Sequence, residues 1–169
     1  MYAQDYDERH VWYYRYYYTP VRELFWWGDL LQPYSKNYQL LECPTEAWPY
    51  TYLRPVGLPN PLICSYALPN ITHDINGNGC LRVPGEKMAN IRDPAGTIIM
   101  VDSTSSEIYT GGTANYTLAG PNGVTDLGTG TVRRVPKRHN DGFNLGFCDG
   151  HAKWLKQTLP GMWTVTSGD

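Results

Sequence analysis

The chain has 169 residues, enough for a single domain, 1–169, with a substantial core. Its 14 Lys and Arg against 16 Asp and Glu leave a formal net charge of −2, which gives no reason to expect nucleic acid as a partner. The longest apolar run, "IIMV" at 98–101, is far short of the roughly 18–20 residues a membrane-spanning helix needs, so no membrane span and a soluble chain are expected.

No basic segment followed by an apolar stretch opens the chain, so no signal peptide is read. Met1 to Gln4 suits the last turn of a helix, which the acidic "DYDE" (5–8) then leaves. "VWYYRYYY" (11–18) is rich in strand-favouring aromatics, and Pro20 ends it. In the next stretch, 21–37, Leu24, Trp27, Leu30 and Leu31 fall at helical spacing and predict an amphipathic helix near 22–32. Gly28 weakens that helix, and Pro33 marks a kink or its end. "YQLLECP" (38–44) reads as a short extended segment entering a loop, 44–62, that holds five prolines. A loop so long needs a pin, and a Cys43–Cys64 disulfide is the expected one.

"ICSYAL" (63–68) reads as a strand, "GEKMAN" (85–90) as one helical turn, and Thr97 to Asp102 as a buried strand. Residues 105–130 read as an exposed loop or weak hairpin. The last hairpin is the clearest local feature: "NLGFC" and "HAKWL" flank Asp149-Gly150, which suits a type I′ turn. That turn would set Phe147 opposite Ala152 and Leu145 opposite Trp154 on a core face, with Gly146, Cys148, His151 and Lys153 behind. The whole reads as an α+β domain with an antiparallel sheet.

Chemistry concentrates in "RHNDGFNLGFCDGHAKWLK" (138–156). His139 and His151 could serve a metal ion with Asp102 and Asp141 as carboxylate partners. The competing and favoured reading is that these side chains hold loops by hydrogen bonds, Asp149 being already required by its turn. "DINGNG" (74–79) sets Asp74, Asn76 and Asn78 at positions 1, 3 and 5 of a calcium loop, but the acid of position 12 is missing. A plain Asn-Gly turn is favoured there too. No GxSxG, P-loop or GxGxxG occurs, and no catalytic residue is assigned. Glu42 and Glu46, near Trp48, are the acids that a glycoside hydrolase reading would use. Trp26, Trp27 and Trp48 are candidate contacts for glycans or sister subunits. "NIT" (70–72) and "NYT" (115–117) are formal glycosylation sequons.

His139, nine residues, then Asp149-Gly150 resembles the H-X9-DG signature near the C-terminus of bacterial prepilin-like proteins, relatives of type II secretion pseudopilins and type IV pilins. "MYAQDYDE" (1–8), "WWGDLLQPYSKNYQLLECP" (26–44), "DPAGTIIMVDS" (93–103) and "GHAKWLKQTLPGMW" (150–163) are similar to that group's segments, in the same order. The family's N-terminal cleavage site and apolar helix have no counterpart in these residues, and Met1 falls where the globular head begins. The resemblance implies a pseudopilin-like head: a helical N-terminal segment packed on an antiparallel sheet closed by the C-terminal hairpin. It implies His139, Asp149 and Gly150 as architectural residues, and a non-enzymatic filament subunit of a secretion or pilus system at the periplasm or cell surface. Its partners would be like subunits or other pseudopilins; separately, the opposite charges of the acidic 5–8 and basic 133–138 segments make these the expected subunit contacts. The resemblance also adds some weight to calcium as the one candidate cofactor. The alternative is a secreted carbohydrate-active protein that binds or cleaves polysaccharide.

Overall fold

A computed structural model describes residues 2–19, 21–46, 48–50, 55, 57–59, 61–71, 83–104, 107–110, 116–118, 124–126, 132–133, 135, 137–163 and 165. The architecture is α+β, with short helices beside mainly antiparallel sheets. α1 (Tyr2–Asp5) is a single turn, and Tyr2 stacks on Tyr6 with ring centroids 4.3 Å apart. β1 (Tyr14–Thr19) and β2 (Val21–Trp26) form an antiparallel ladder that sets Tyr14 opposite Trp26 and Tyr16 opposite Leu24.

β2 corrects the helix expected near 22–32. Leu24 and Trp26 are buried while Glu23 and Phe25 are only half-buried, a period of two. Trp27, three residues after Leu24, imitates a helical repeat only because the chain turns there. Phe25 meets Tyr17 edge-on at 5.1 Å and Trp26 meets Tyr14 at 5.5 Å. Such aromatic pairs contribute about 0.5–1.5 kcal/mol each, whereas a lone three-turn helix is marginal in water. Helix starts at α2 (Trp27–Leu30), where Asp29 Oδ2 accepts the Trp26 N–H at 3.0 Å. α3 (Gln32–Ser35) carries Pro33 in its first turn, so this proline opens a helix where it was expected to end one. The segment expected to be extended, 38–44, begins as a 3-10 turn, Tyr38–Leu41, capped by the Asn37 side chain.

β3 (Trp48–Tyr50) pairs with β4 (Leu62–Cys64), so the ends of the proline-rich stretch form a ladder. The remaining strands are β5 (Tyr66–Ile71), β6 (Ile98–Asp102), β7 (Glu107–Thr110), β8 (Tyr116–Leu118), β9 (Val124–Asp126), β10 (Val132–Arg133), β11 (Phe143–Phe147) and β12 (Ala152–Leu155). Five of the strands make the main sheet in the order β12-β11-β6-β5-β7, antiparallel throughout except for the β5–β7 pair. β8, β9 and β10 form a small sheet of their own.

β5 is buried on both faces, whereas β11 alternates buried with exposed or half-buried residues. Ala67, Val101 and Leu145 lie in one cross-strand row and pack with Ile98, Phe143, Phe147 and Trp163. Leu68 faces the other way, into a cluster with Leu24, Trp26, Trp27, Leu41 and Leu62. Trp163, from the 3-10 turn Pro160–Trp163, is 1% exposed and donates its Nε1–H to Thr158 Oγ1 at 2.8 Å.

The closing hairpin exists, but its register differs by one residue from the expected one. Phe147 N–H donates to His151 O (2.9 Å) and Gly150 N–H to Phe147 O (2.9 Å), enclosing three residues, 148–150. Gly150 has φ +95° whereas Asp149 has no positive φ, the pattern of a tight turn followed by a left-handed glycine. The extra loop residue sets Ala152 opposite Gly146 and Trp154 opposite Asn144. Trp154 therefore leaves the core face and is 40% exposed. Gly150→Ala should lower stability by about 1–2 kcal/mol, because a Cβ is penalised in this backbone region; the urea midpoint reads it.

Candidate functional site

The segment 139–142 is a tight reversal made by its own residue types. His139 N–H donates to Gly142 O (3.1 Å) and Gly142 N–H to His139 O (3.0 Å). Between them Asn140 and Asp141 have φ of +50° and +58°, as a type I′ turn requires. After glycine, Asn and Asp tolerate that region best. The I′ geometry expected at Asp149-Gly150 thus occurs at Asn140-Asp141. Gly142 must be small, since a Cβ there would stand 2.5 Å from the Trp154 ring. That ring covers the turn and donates its Nε1–H to His139 O at 2.7 Å.

The turn delivers two side chains to the end of β6. Arg138 has a side chain 3% exposed, and its Nη1 and Nη2 donate to Glu46 O and Ser103 O, both at 2.7 Å. His139 Nε2 lies 3.6 Å from Cys43 Sγ and 3.6 Å from Asp102 Oδ2. Asp102 is fully buried, and its Oδ2 accepts the Asn144 N–H at 2.6 Å. Cys43 N–H donates to Ser65 Oγ (2.8 Å), and the Ser65 hydroxyl donates to Glu46 O (2.7 Å). Two buried polar atoms, Asp102 Oδ1 and Arg138 Nε, have no hydrogen-bond partner among the described residues. Arg138 Nε does lie 3.9 Å from Glu46 Oε2.

The Cys43–Cys64 bridge is not formed: Cys43, Cys64 and Cys148 are all free and buried. Cys43 runs beside Ser65, while Cys64 belongs to the aromatic core and donates its thiol to Tyr66 O at 3.1 Å. The three thiols sit in different electrostatic surroundings. Burial pushes Cys64 up to about 11. Burial, with the Asp149 charge, pushes Cys148 up to about 12. Burial also acts upward on Cys43, but hydrogen bonds from the Thr45 and Glu46 backbone, the Thr45 side chain and the Arg138 guanidinium outweigh it, and its net shift is downward.

Asp149 serves a different end of β11. Its Oδ1 accepts the His151 N–H (3.1 Å) and meets His151 Nδ1 (2.6 Å), while the His151 ring stacks on Phe147 at 4.3 Å. Cys148 N–H and Asp149 N–H donate to Thr97 O and Pro94 O, which fastens the turn to the start of β6. The His151 backbone N–H, then its side chain, hold the Asp149 carboxyl below its ordinary 3.8. A carboxyl with a depressed folded value keeps its contact above the unfolded value and loses it as pH falls through the folded one. An NMR pH titration should place the Asp149 midpoint below 3.8; a midpoint at or above that value would contradict this contact.

His139 therefore meets Asp102, as the sequence allowed, but Asp141 is exposed in the turn and His151 pairs with Asp149. Among the described residues no three His, Cys, Asp or Glu side chains are grouped to hold a metal ion. Glu42 is exposed and Glu46 half-buried, on either side of the Cys43–Glu46 turn. Trp26 and Trp27 are core residues, so this fold does not offer them as surface contacts. The contact expected of the Trp48 ring lies outside the described residues, as does the calcium loop with Asp74, Asn76 and Asn78. EDTA should leave the melting temperature unchanged if that loop is a plain turn; a fall on chelation would assign it an ion. Asn70 is buried in β5, out of reach of glycosylation in the folded chain, and Asn115 lies outside the described residues. Of the basic 133–138 segment, Arg138 points inward and is not a surface charge. No helix among the described residues is long and apolar enough to cross a membrane.

Sequence reasoning expected a Cys43–Cys64 bridge where both thiols are free, and gave Arg138 to the surface. The usable signals were a carboxylate closing an apolar strand in "IIMVD" and an Arg-His pair entering an Asn-Asp-Gly turn. A separate cleft of about 340 Å³ is lined by Tyr6, Tyr17, Phe25, Glu23, Asp29 and neighbours. No family model, no curated protein and no solved structure matches this chain.

Proposed function

We propose that the chain is a non-enzymatic structural subunit, the globular head of a pilin- or pseudopilin-like protein working at the periplasm or cell surface. The observation that carries this reading is the role of the H-X9-DG spacing. His139 opens the 139–142 turn, β11 fills 143–147, and Asp149-Gly150 builds the following turn. The nine intervening residues are thus what one short strand and its two reversals require, and neither motif side chain is held for turnover. α1, with Tyr2 against Tyr6 and Tyr34, suits the junction where an apolar helix would lead into such a head.

The test is to join this head to a prepilin cleavage site and apolar helix, express it with a prepilin peptidase, and image the products by electron microscopy. Filaments are expected, and Asp7→Lys with Glu8→Lys should shorten or abolish them. Soluble monomers with no filament under processing conditions contradict the reading. Asp5 is the wrong probe, since its Oδ2 accepts the Tyr34 hydroxyl at 2.7 Å within the chain.

A second reading, carbohydrate binding, draws its support from the cleft, because aromatic rings beside carboxylates suit sugar faces and hydroxyls. Its probe is Tyr17→Ala in a polysaccharide pull-down with reducing-sugar release: binding lost in that variant supports it, and no binding by the parent chain removes it.

A further inference from the structure

We propose that Cys43 is a modification site: a thiol, held beside His139 and Arg138, that small peroxides oxidise to the sulfenic acid while Cys148 stays reduced.

The geometry separates this from the two familiar uses of such a cluster. In a cysteine hydrolase the imidazole faces the thiol with one nitrogen and the carboxylate with the other. Here Nε2 alone lies 3.6 Å from both Cys43 Sγ and Asp102 Oδ2, so no relay through the ring exists. A metal ion is disfavoured by the buried Arg138 guanidinium next to the sulfur, which would repel a dication. The same guanidinium and the Thr45 and Glu46 amides favour an anion at the sulfur, which makes Cys43 the activated thiol among the described cysteines.

A ligand is indicated by what the cluster leaves open. Arg138 Nε, on a side chain 3% exposed, carries an N–H with no hydrogen-bond acceptor among the described residues. Glu46 Oε2 stands 3.9 Å from that donor, beyond hydrogen-bond reach, and an oxygen carried by Cys43 is the acceptor the proposal assigns to it. Cys43 is itself only 5% exposed, beside the half-buried His139, so the oxidant the proposal names is the smallest peroxide, hydrogen peroxide.

The step balances with peroxide as oxidant. The Cys43 sulfur lone pair attacks one peroxide oxygen, an S–O bond forms and the O–O bond breaks. The thiol proton, taken up by His139 Nε2 3.6 Å away, is passed to the departing hydroxide, which leaves as water. Sulfur loses two electrons, peroxide gains them, and Cys43 is left as the sulfenic acid.

The folded chain is treated with limiting hydrogen peroxide for set times, quenched with catalase, unfolded in excess dimedone, alkylated and mapped by mass spectrometry. Cys43 should acquire the dimedone adduct at least about tenfold faster than Cys148, since an ordinary thiol is only a few per cent thiolate at neutral pH. His139→Gln keeps an N–H donor but cannot relay a proton; in a chain that circular dichroism shows to be folded, it should slow the adduct about tenfold. Equal rates at Cys43 and Cys148 in the folded chain overturn the proposal whatever the variant does. An unchanged rate in a folded His139→Gln chain overturns the role of the imidazole.

Discussion

Arg138→Ala should destabilise the fold by about 3–5 kcal/mol, the range for removing one member of a buried charged cluster. The guanidinium joins the Cys43–Glu46 turn to the end of β6 through Glu46 O and Ser103 O. Hydrogen bonds from a charged donor contribute about 1.5–3 kcal/mol each, and the substitution removes that donor from both carbonyls at once. Lysine cannot replace the fork, because an ammonium is a point charge with no planar pair of donors. Arg138→Lys should therefore recover only part of the loss, about half. Chemical denaturation of the three chains, read by tryptophan fluorescence, measures both differences. Equal stability of parent and Arg138→Ala would show that this link contributes nothing.

The second large effect is at Trp163, where alanine should cost about 3–5 kcal/mol by leaving a cavity under the main sheet. The comparison that gives this number meaning is Trp154→Ala. Trp154 is 40% exposed and contributes one hydrogen bond to His139 O plus cover for Gly142, so its loss should cost about 1–2 kcal/mol. The two-residue register read from the sequence puts Trp154 in the core and predicts comparable losses. Unfolding free energies of the two variants decide between the registers.

What was legible in the sequence was whatever depends on near neighbours. The strand at Ile98–Asp102 announced itself as an apolar run, and β1 by its aromatics. The closing hairpin was visible from Asp149-Gly150, but a dipeptide does not distinguish a two-residue loop from a three-residue one, and one residue inverts every side chain. β2 was misread because Leu24, Trp26 and Trp27 satisfy two periods at once, and only pairing with β1 selects the shorter. The site was harder still. Cys43, Ser65, Asp102 and Arg138 are far apart in the chain and meet only through the fold, so no spacing encodes them. The buried Arg138 looked like part of a basic surface run because its neighbours in sequence are also basic.

The core of the account is that the histidine of this cluster braces chain segments against one another. Urea unfolding of His139→Ala tests it most directly. Removing the imidazole leaves the fully buried Asp102 carboxylate without its facing group, so a loss of about 1–3 kcal/mol is expected. A variant as stable as the parent chain would contradict the bracing role and with it the scaffold reading built on it.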